Sequence, residues 1–451
     1  MAGGTFNKLT GKVRPGTYVN FESVQMGLVN LSERGIVIMP LPLTWGPPQE
    51  FITLVVGAPD AEYTKLGYSV YEDDPDGNML MIREAFKKAQ KVIVYRLAGG
   101  AKAAATIGDL TVTAKHEGAR GNSLKVAIVA NPVEGFDVTV YLGTAVVFEQ
   151  SGAETIGDLT ANDWVVWSGT AGTALAANAG TSLTGGTDTT VVNNDITGFL
   201  DDSETQQFNS MCFPYTEGTL QTALKTKIKY FRDDVGKKVT AAVPSFTGTN
   251  YEGIISVDNG VILTDGTTLS AAQACAWVAA ADAAATNTMS NTYLAYDGAA
   301  DVNGKKTHEQ AVAAINAGKF FFSLINGTVV VEYDINSLTD FDPPKSKDYR
   351  KNRVRRVLDT FEESLYLNFT PNKFDNAEEA ENSVRPGWNC MESLGKQILT
   401  TFRDAGAITN VDLDNDFLVD RTASVGDETY FNIGLDPVDS SEKLFFTVRT
   451  R

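Results

Sequence analysis

Residues able to carry acid–base, nucleophilic or metal chemistry are scarce in this sequence. Its 451 residues hold two histidines, His116 and His308, and three cysteines, Cys212, Cys275 and Cys390, each more than sixty residues from the next. A Ser-His-Asp triad needs an imidazole that takes the serine proton and is oriented by a carboxylate, so only those two histidines can serve. His308 lies in Lys305-Lys-Thr-His-Glu-Gln310. Thr307 and Gln310 there have capping-box spacing, which makes His308 an exposed first-turn residue. His116 lies in Ala114-Lys-His-Glu-Gly-Ala-Arg-Gly-Asn122, which reads as a solvated polar loop. Neither histidine has zinc-ligand spacing, and no Cys-x-x-Cys pair exists to hold zinc or exchange disulfides.

Phosphate and calcium signatures are missing too. Gly-Lys occurs at 11–12, 236–237, 304–305 and 395–396, never followed by Ser or Thr, so no Walker-type loop is present. No Gly-x-Ser-x-Gly elbow appears. Asp412-Leu-Asp-Asn-Asp416 opens like an EF-hand, but Phe417 and Ala423 stand where the loop needs Gly and a bidentate Glu. The expectation is therefore no catalytic residue, metal or cofactor. One concentrated charge feature remains: Lys345, Lys347, Arg350, Lys351, Arg353, Arg355 and Arg356, opposed only by Asp348. Such a run is either a solvated helix face or a patch that docks on an acidic partner.

The length suggests about three domains, and 43% apolar residues give each a core. The net charge of −18 argues against wrapping nucleic acid or anionic lipid. The Ala-rich stretch from Ser270 to Thr286 is interrupted by Gln273 and Asp282, so it reads as a soluble helix and no membrane insertion is expected. The N-terminal residues carry no apolar core of a secretory signal.

Texture divides the chain. Residues 1–27 form an arm with a β-prone run at Thr17, Tyr18, Val19 and Phe21. Residues 28–98 alternate strands (Ile36 to Leu41, Phe51 to Val56, Val92 to Leu97) with a helix near 80–90, an α/β pattern. Residues 99–186 are rich in Thr, Gly, Ala and Val, with short alternating runs typical of a β-sandwich. Within them Thr106-Ile-Gly-Asp-Leu-Thr111 recurs as Thr155-Ile-Gly-Asp-Leu-Thr160, either a repeated β-unit or shared turn chemistry. Residues 187–344 interleave helices at 217–234, 269–285 and 308–317 with strands, implying a mostly parallel sheet. Asn326-Gly327 between Phe320 to Ile325 and Val329 to Tyr333 marks a hairpin. Residues 345–442 combine two amphipathic helices with short strands, an α+β unit. Residues 443–451 end the chain on the β-prone Leu444, Phe445, Phe446 and Val448.

Several segments in order give the sequence a family resemblance. They are Arg14-Pro-Gly-Thr-Tyr-Val-Asn-Phe21, Arg34-Gly-Ile-Val-Ile-Met-Pro-Leu41 with Trp45-Gly-Pro47, Ile82-Arg-Glu-Ala-Phe86 leading to Val94-Tyr-Arg-Leu97, and Asp265 to Gln273 with Ala276-Trp-Val278. Tyr349 to Asp359 and Glu442 to Val448 complete them. Together they resemble the tail sheath proteins of contractile phage tails and phage-tail-like bacteriocins.

The resemblance implies an α/β and β multidomain fold: an inserted β-sandwich, a subtilisin-like α/β domain, an α+β domain facing the tail tube, and extended terminal arms. It implies a structural subunit rather than an enzyme, since a hydrolase-like fold does not carry hydrolase chemistry. Its partners would be further copies of itself in a helical lattice, the tail tube protein, and baseplate and terminator proteins, in a virion tail or phage-tail-like particle assembled in the bacterial cytoplasm. Arm strands would add to neighbouring sheet edges through Thr17, Tyr18, Val19, Phe21, Leu444, Phe445, Phe446 and Val448, giving a propagating heterologous contact. Arg350, Arg353, Arg355 and Arg356 would be the tube-docking candidates. A hydrolase on the subtilisin-like domain and a carbohydrate-binding or adhesive module are the rival readings.

Overall fold

The computed structural model describes residues 34–343, 345–370, 373–377 and 386–449. Its framework is a seven-stranded sheet. In spatial order the strands are Lys319–Phe320, Ile254–Val257, Thr240–Pro244, Ser210–Cys212, Ile36–Leu41, Lys91–Arg96 and Phe51–Val55. Every neighbouring pair is parallel except the last, where Phe51 faces Tyr95 and Val55 faces Lys91 in antiparallel register. A parallel sheet covered on both faces needs strands that are apolar throughout, and Ile36–Leu41 is buried at every position. Its side chains alternate between two cores: Val37, Met39 and Leu41 enter one, Ile36 and Ile38 the other.

The first core is closed by the helices Asn78–Phe86 and Ala271–Ala284. The second is closed by Asn193–Asp202 and Gly218–Tyr230, through Ile196, Phe199, Leu220, Leu224 and Ile228. Ala271–Ala284, the core helix, is buried on almost every side, so Ala lets it lie close to the strands. Its start is fixed by a capping box between Ser270 and Gln273. Residues 28–98 and 187–344 thus contribute strands to one sheet, although they read as separate stretches along the sequence.

Between these stretches lie two antiparallel sheets around one core. One joins Val165–Ser168, Leu110–Ala114 and Ala104–Ile107; the other joins Asn178–Ser182, Leu124–Ala130, Phe136–Leu142 and Ala145–Ala153. Val112, Val126, Ile128, Val138, Val140 and Trp164 fill the core, and Trp45 reaches it from outside these strands. Trp45 stacks on Trp164 with ring centroids 5.8 Å apart and donates its Nε1–H to the Thr64 carbonyl at 2.8 Å. His116 is therefore not on a solvated loop. Its ring meets Trp45 edge-on at 5.3 Å, and burial, with nearby Arg96, Lys102 and Lys115, pushes its pKa down to about 4.

The C-terminal helices, Asn352–Asn368 and Trp388–Asp404, pack through Val357, Phe361, Ile398, Leu399 and Phe402. Two short ladders lie on them, Phe417–Val419 with Phe431–Ile433, and Ile408–Thr409 with Asp436–Pro437. Gly395 lets Phe417 approach so closely that a Cβ there would sit 2.2 Å from its ring.

Candidate functional site: a buried charge network and the segments it anchors

The basic run changes meaning in the structure. Lys347–Arg350 is a 3-10 turn leading into Asn352–Asn368, the arginine helix. Arg355 and Arg356 are 3% and 0% exposed and Arg350 is also buried, so these three do not present their guanidiniums to a tube. Arg353 is half-buried and donates to Ser440 Oγ at 2.6 Å. For Arg355 and Arg356 the reason is that acids of the same chain meet them. A charge leaves water only when paired and hydrogen-bonded, and their partners Asp359, Asp334 and Asp282 lie 4, 22 and up to 74 residues away.

Asp282, near the end of the core helix, is the centre. Its carboxylate accepts from Arg355 Nη2 at 2.8 and 3.0 Å, from Arg356 Nη1 at 2.7 Å and from Thr240 Oγ1 at 2.7 Å. Its backbone carbonyl accepts from Arg34 Nη2 at 3.3 Å. Burial alone would push the Asp282 carboxyl up, but Arg355, Arg356, the Thr240 hydroxyl and Arg34 outweigh it and hold it at about 2. Arg356 continues to Asp334 Oδ2 at 2.9 Å, and Asp334 also accepts from Asn352 Nδ2 at 2.8 Å and the Asn291 N–H at 2.9 Å. On the other side Arg355 donates to Asp359 at 3.0 Å, and Arg232 holds Asp359 through two N–H groups at 2.6 and 3.0 Å. Burial also opposes ionisation of Asp359; Arg232 and Arg355 overcome it and lower its pKa. The network joins the core helix, the central sheet and the arginine helix.

The C-terminal segment is anchored beside it. Thr17, Tyr18, Val19 and Phe21 lie outside the described residues. Leu444, Phe445, Phe446 and Val448 are described: they form no strand among the described residues and are 65%, 91%, 83% and 83% exposed. Just before them, Glu442 accepts from Ser290 Oγ at 2.8 Å and Thr292 Oγ1 at 2.7 Å and pairs with Lys351.

Sequence reasoning missed Arg34, Arg232, Asp282, Asp334, Asp359 and Glu442. Arg34, Asp359 and Glu442 appear there only as ends of the family segments, and Asp282 only as an acid interrupting an Ala-rich helix. A lone buried acid requires a cation, and the arginine cluster that supplies it lies 73 and 74 residues further along the chain. The remaining chemistry candidates stay apart. His308 opens the helix His308–Asn316 behind the Thr307–Gln310 capping box, as the spacing predicts. Cys212 and Cys275 are buried thiols whose pKa burial raises, and Cys390 is exposed. Among the described residues no group of three or more His, Cys, Asp or Glu could hold a metal ion, and no helix is long and apolar enough to cross a membrane.

Comparison with known proteins places this architecture. Four family descriptions match along the chain: the N-terminal region of tail sheath protein Gp18 domain III at residues 34–97, the phage tail sheath protein beta-sandwich domain at 98–189, its central domain at 189–337 and its C-terminal domain at 344–451. The chain is 35% identical to the phage-like element PBSX protein XkdK of Bacillus subtilis, covering 99% of both. A sheath tail protein from Desulfitobacterium hafniense superposes with a TM-score of 0.83 at 40% identity, over 97% of this chain and 100% of that one. One from Listeria innocua gives 0.76 at 35% identity, over 93% and 95%. The anti-feeding prophage sheath in its contracted state shares the fold, with a TM-score of 0.57 at 13% identity over 98% of this chain and 100% of that one. The chain therefore belongs to the phage tail sheath protein family.

Proposed function

We propose that this chain is the structural subunit of a contractile tail sheath, polymerising helically around a tail tube through strands donated by its terminal segments. Contraction then drives the tube through a target envelope, using energy stored in the extended lattice rather than a nucleotide. The observation that carries this reading is the exposed, unpaired run Leu444 to Val448 at the end of a well-packed body. Burying its apolar side chains on a neighbour contributes about 8 kcal/mol at the usual value per side chain. Ordering the seven residues 443–449 costs about 7–14 kcal/mol of backbone entropy. Burial therefore roughly balances the cost of ordering, and ladder hydrogen bonds to a neighbour's strand add the net attachment. The short ladders Phe417–Val419/Phe431–Ile433 and Ile408–Thr409/Asp436–Pro437 offer such edges, since two-stranded sheets of this size are marginal unless extended. Thr17, Tyr18, Val19 and Phe21 would act in the same way on a second neighbour.

Within this reading, residues 99–186 are an inserted β-sandwich, 187–344 a subtilisin-like domain without protease chemistry, and 345–442 the tube-facing unit. Of the tube-docking arginines, only Arg353 keeps a partly open side chain. Baseplate and terminator proteins would cap the lattice of a virion tail or phage-tail-like particle assembled in the host cytoplasm. A hydrolase has less support: no Ser–His–carboxylate hydrogen-bond chain occurs among the described residues, and His116 packs on Trp45. The test is deletion of residues 443–451 from the full chain. The expected result is a folded subunit that no longer forms ordered tubes by negative-stain microscopy; wild-type tubes would overturn the proposal.

A further inference from the structure

Of the cations at residues 345–356, Arg350 is buried with no counter-charge. It is 8% exposed, its Nε and Nη2 are enclosed without a hydrogen-bond partner, and its guanidinium makes no hydrogen bond or ion pair among the described residues. Others in the run differ: Lys345 pairs with Glu252, Lys351 with Asp439 at 3.1 Å and with Glu442, and Arg355 and Arg356 with Asp282 at 2.8 and 2.7 Å. A guanidinium held in the interior without an anion destabilises the subunit that carries it. Folding of a single chain therefore does not account for its position, whereas an anion supplied on assembly does.

The surroundings say where that anion would arrive. The Arg350 carbonyl accepts from the Asn336 N–H at 3.0 Å, which fixes the end of the turn Lys347–Arg350. Burial lowers the pKa of the Arg350 side chain, and the nearby ionisable group that opposes this is Tyr333. The Tyr333 ring also faces Lys351 Nζ at 5.1 Å and Lys443 Nζ at 5.8 Å. Lys351 is neutralised there by Asp439 and Glu442. Lys443 is exposed, has no ion pair among the described residues and opens the segment 443–449. Unmet positive charge thus collects where the exposed segment leaves the body.

We propose that Arg350 is a docking point for a carboxylate of a second copy of this chain, with Lys443 steering its approach. The inference rests on the strand-exchange reading above, because a neighbour that takes up residues 443–449 is brought against this spot. The chain itself is rich in the ligand, with 56 Asp and Glu against 38 Lys and Arg. Arg350 opens too little surface for a broad contact with a tube. Its charge is shared across the guanidinium, however, so a carboxylate oxygen at Nη1, the nitrogen that is not enclosed, compensates it.

The test is Arg350→Met in the full-length chain, reading assembly by sedimentation of tubes formed without tail tube protein. Assembly should weaken at least about tenfold, while the melting temperature of the unassembled subunit stays equal or rises, since a buried unpaired charge is removed. Wild-type assembly would overturn the proposal. A lower melting temperature would place the counter-charge inside the subunit and overturn it too, as would normal tubes that no longer bind tail tube protein. Arg350→Lys, which keeps a cation, gives an independent reading. Tubes grown from mixed isotope-labelled and unlabelled copies of that variant are treated with a carbodiimide, which joins the introduced amine to a carboxylate in contact with it. Cross-links between labelled and unlabelled copies are expected; cross-links confined to one copy would refute the proposal. The residue 443–451 deletion separates the two ideas. Tubes formed without those residues sink strand exchange, whereas tubes lost on deletion but unaffected by Arg350→Met sink only the docking point.

Discussion

Residues 345–356 and 443–449 invert the usual distribution of charge and grease. The first segment carries seven cations and buries three of them, Arg350, Arg355 and Arg356, with Lys347 exposed; the second carries four large apolar side chains, Leu444, Phe445, Phe446 and Val448, and exposes all of them. The difference lies in where each finds its partners. Arg355 and Arg356 meet Asp282, Asp334 and Asp359 of the same chain, so their desolvation is compensated on folding. Leu444, Phe445, Phe446 and Val448 are covered by no apolar surface among the described residues, which is the pattern of a segment completed by another molecule.

Substitutions should separate the two regions clearly. The largest effect is expected for Asp282→Ala, which strands Arg355 and Arg356 in the interior. Subunit stability in urea should fall by about 3–5 kcal/mol, and a loss below 1 kcal/mol would mean that water reaches the cluster. Asp359→Ala should follow at a similar or somewhat smaller cost, since Arg355 retains Asp282 while Arg232 loses its only ion pair among the described residues. The exposed segment should behave oppositely. Phe445→Ser with Phe446→Ser should leave subunit stability within about 0.5 kcal/mol and abolish ordered tubes; a marked drop in melting temperature would show that the segment packs on its own body.

A further effect concerns acid. His116 has a folded pKa of about 4, below its ordinary 6.5, so the unfolded chain binds the extra proton first. Stability should decline as pH falls from about 6.5 to about 4 and then stop responding to this group, and His116→Asn should flatten that part of the profile. Asp282 acts in a lower window. Its carboxylate is held near 2 against an ordinary 3.8, so its contribution is present at neutral pH and is lost only as pH drops from about 4 toward 2.

Local chemistry was legible wherever neighbours in sequence decide the outcome. Thr307 and Gln310 cap their helix as their spacing predicts, and Asn326-Gly327 turns a hairpin with both residues at positive φ. The run Phe320 to Ile325 was only half legible: Lys319–Phe320 joins the large sheet while Phe322–Ile325 joins the hairpin, a division set by two different partners. The repeat is the sharpest case. Thr106 to Thr111 forms a hairpin, Ile107 opposite Leu110, whereas Thr155 to Thr160 opens a 3-10 turn in which Asp158 caps the Thr155 N–H at 2.8 Å. The same six residues took two forms because the strands around them differ. The candidate site was less legible than the fold: the arginines were visible as a cluster, but not the acids that bury them.

By itself, the sequence determined the order of α/β, all-β and α+β segments, the scarcity of histidine, cysteine and phosphate-loop chemistry, and the apolar character of the final segment. Each follows from composition or from periodicities shorter than about eighteen residues, which local interactions decide. Tertiary structure alone decided that residues 28–98 and 187–344 share one sheet, that His116 is enclosed by Trp45, and that a cationic run lies inside an acidic protein. Those outcomes depend on groups distant in sequence meeting in a medium of low dielectric, where a charge keeps its place only beside its counter-charge.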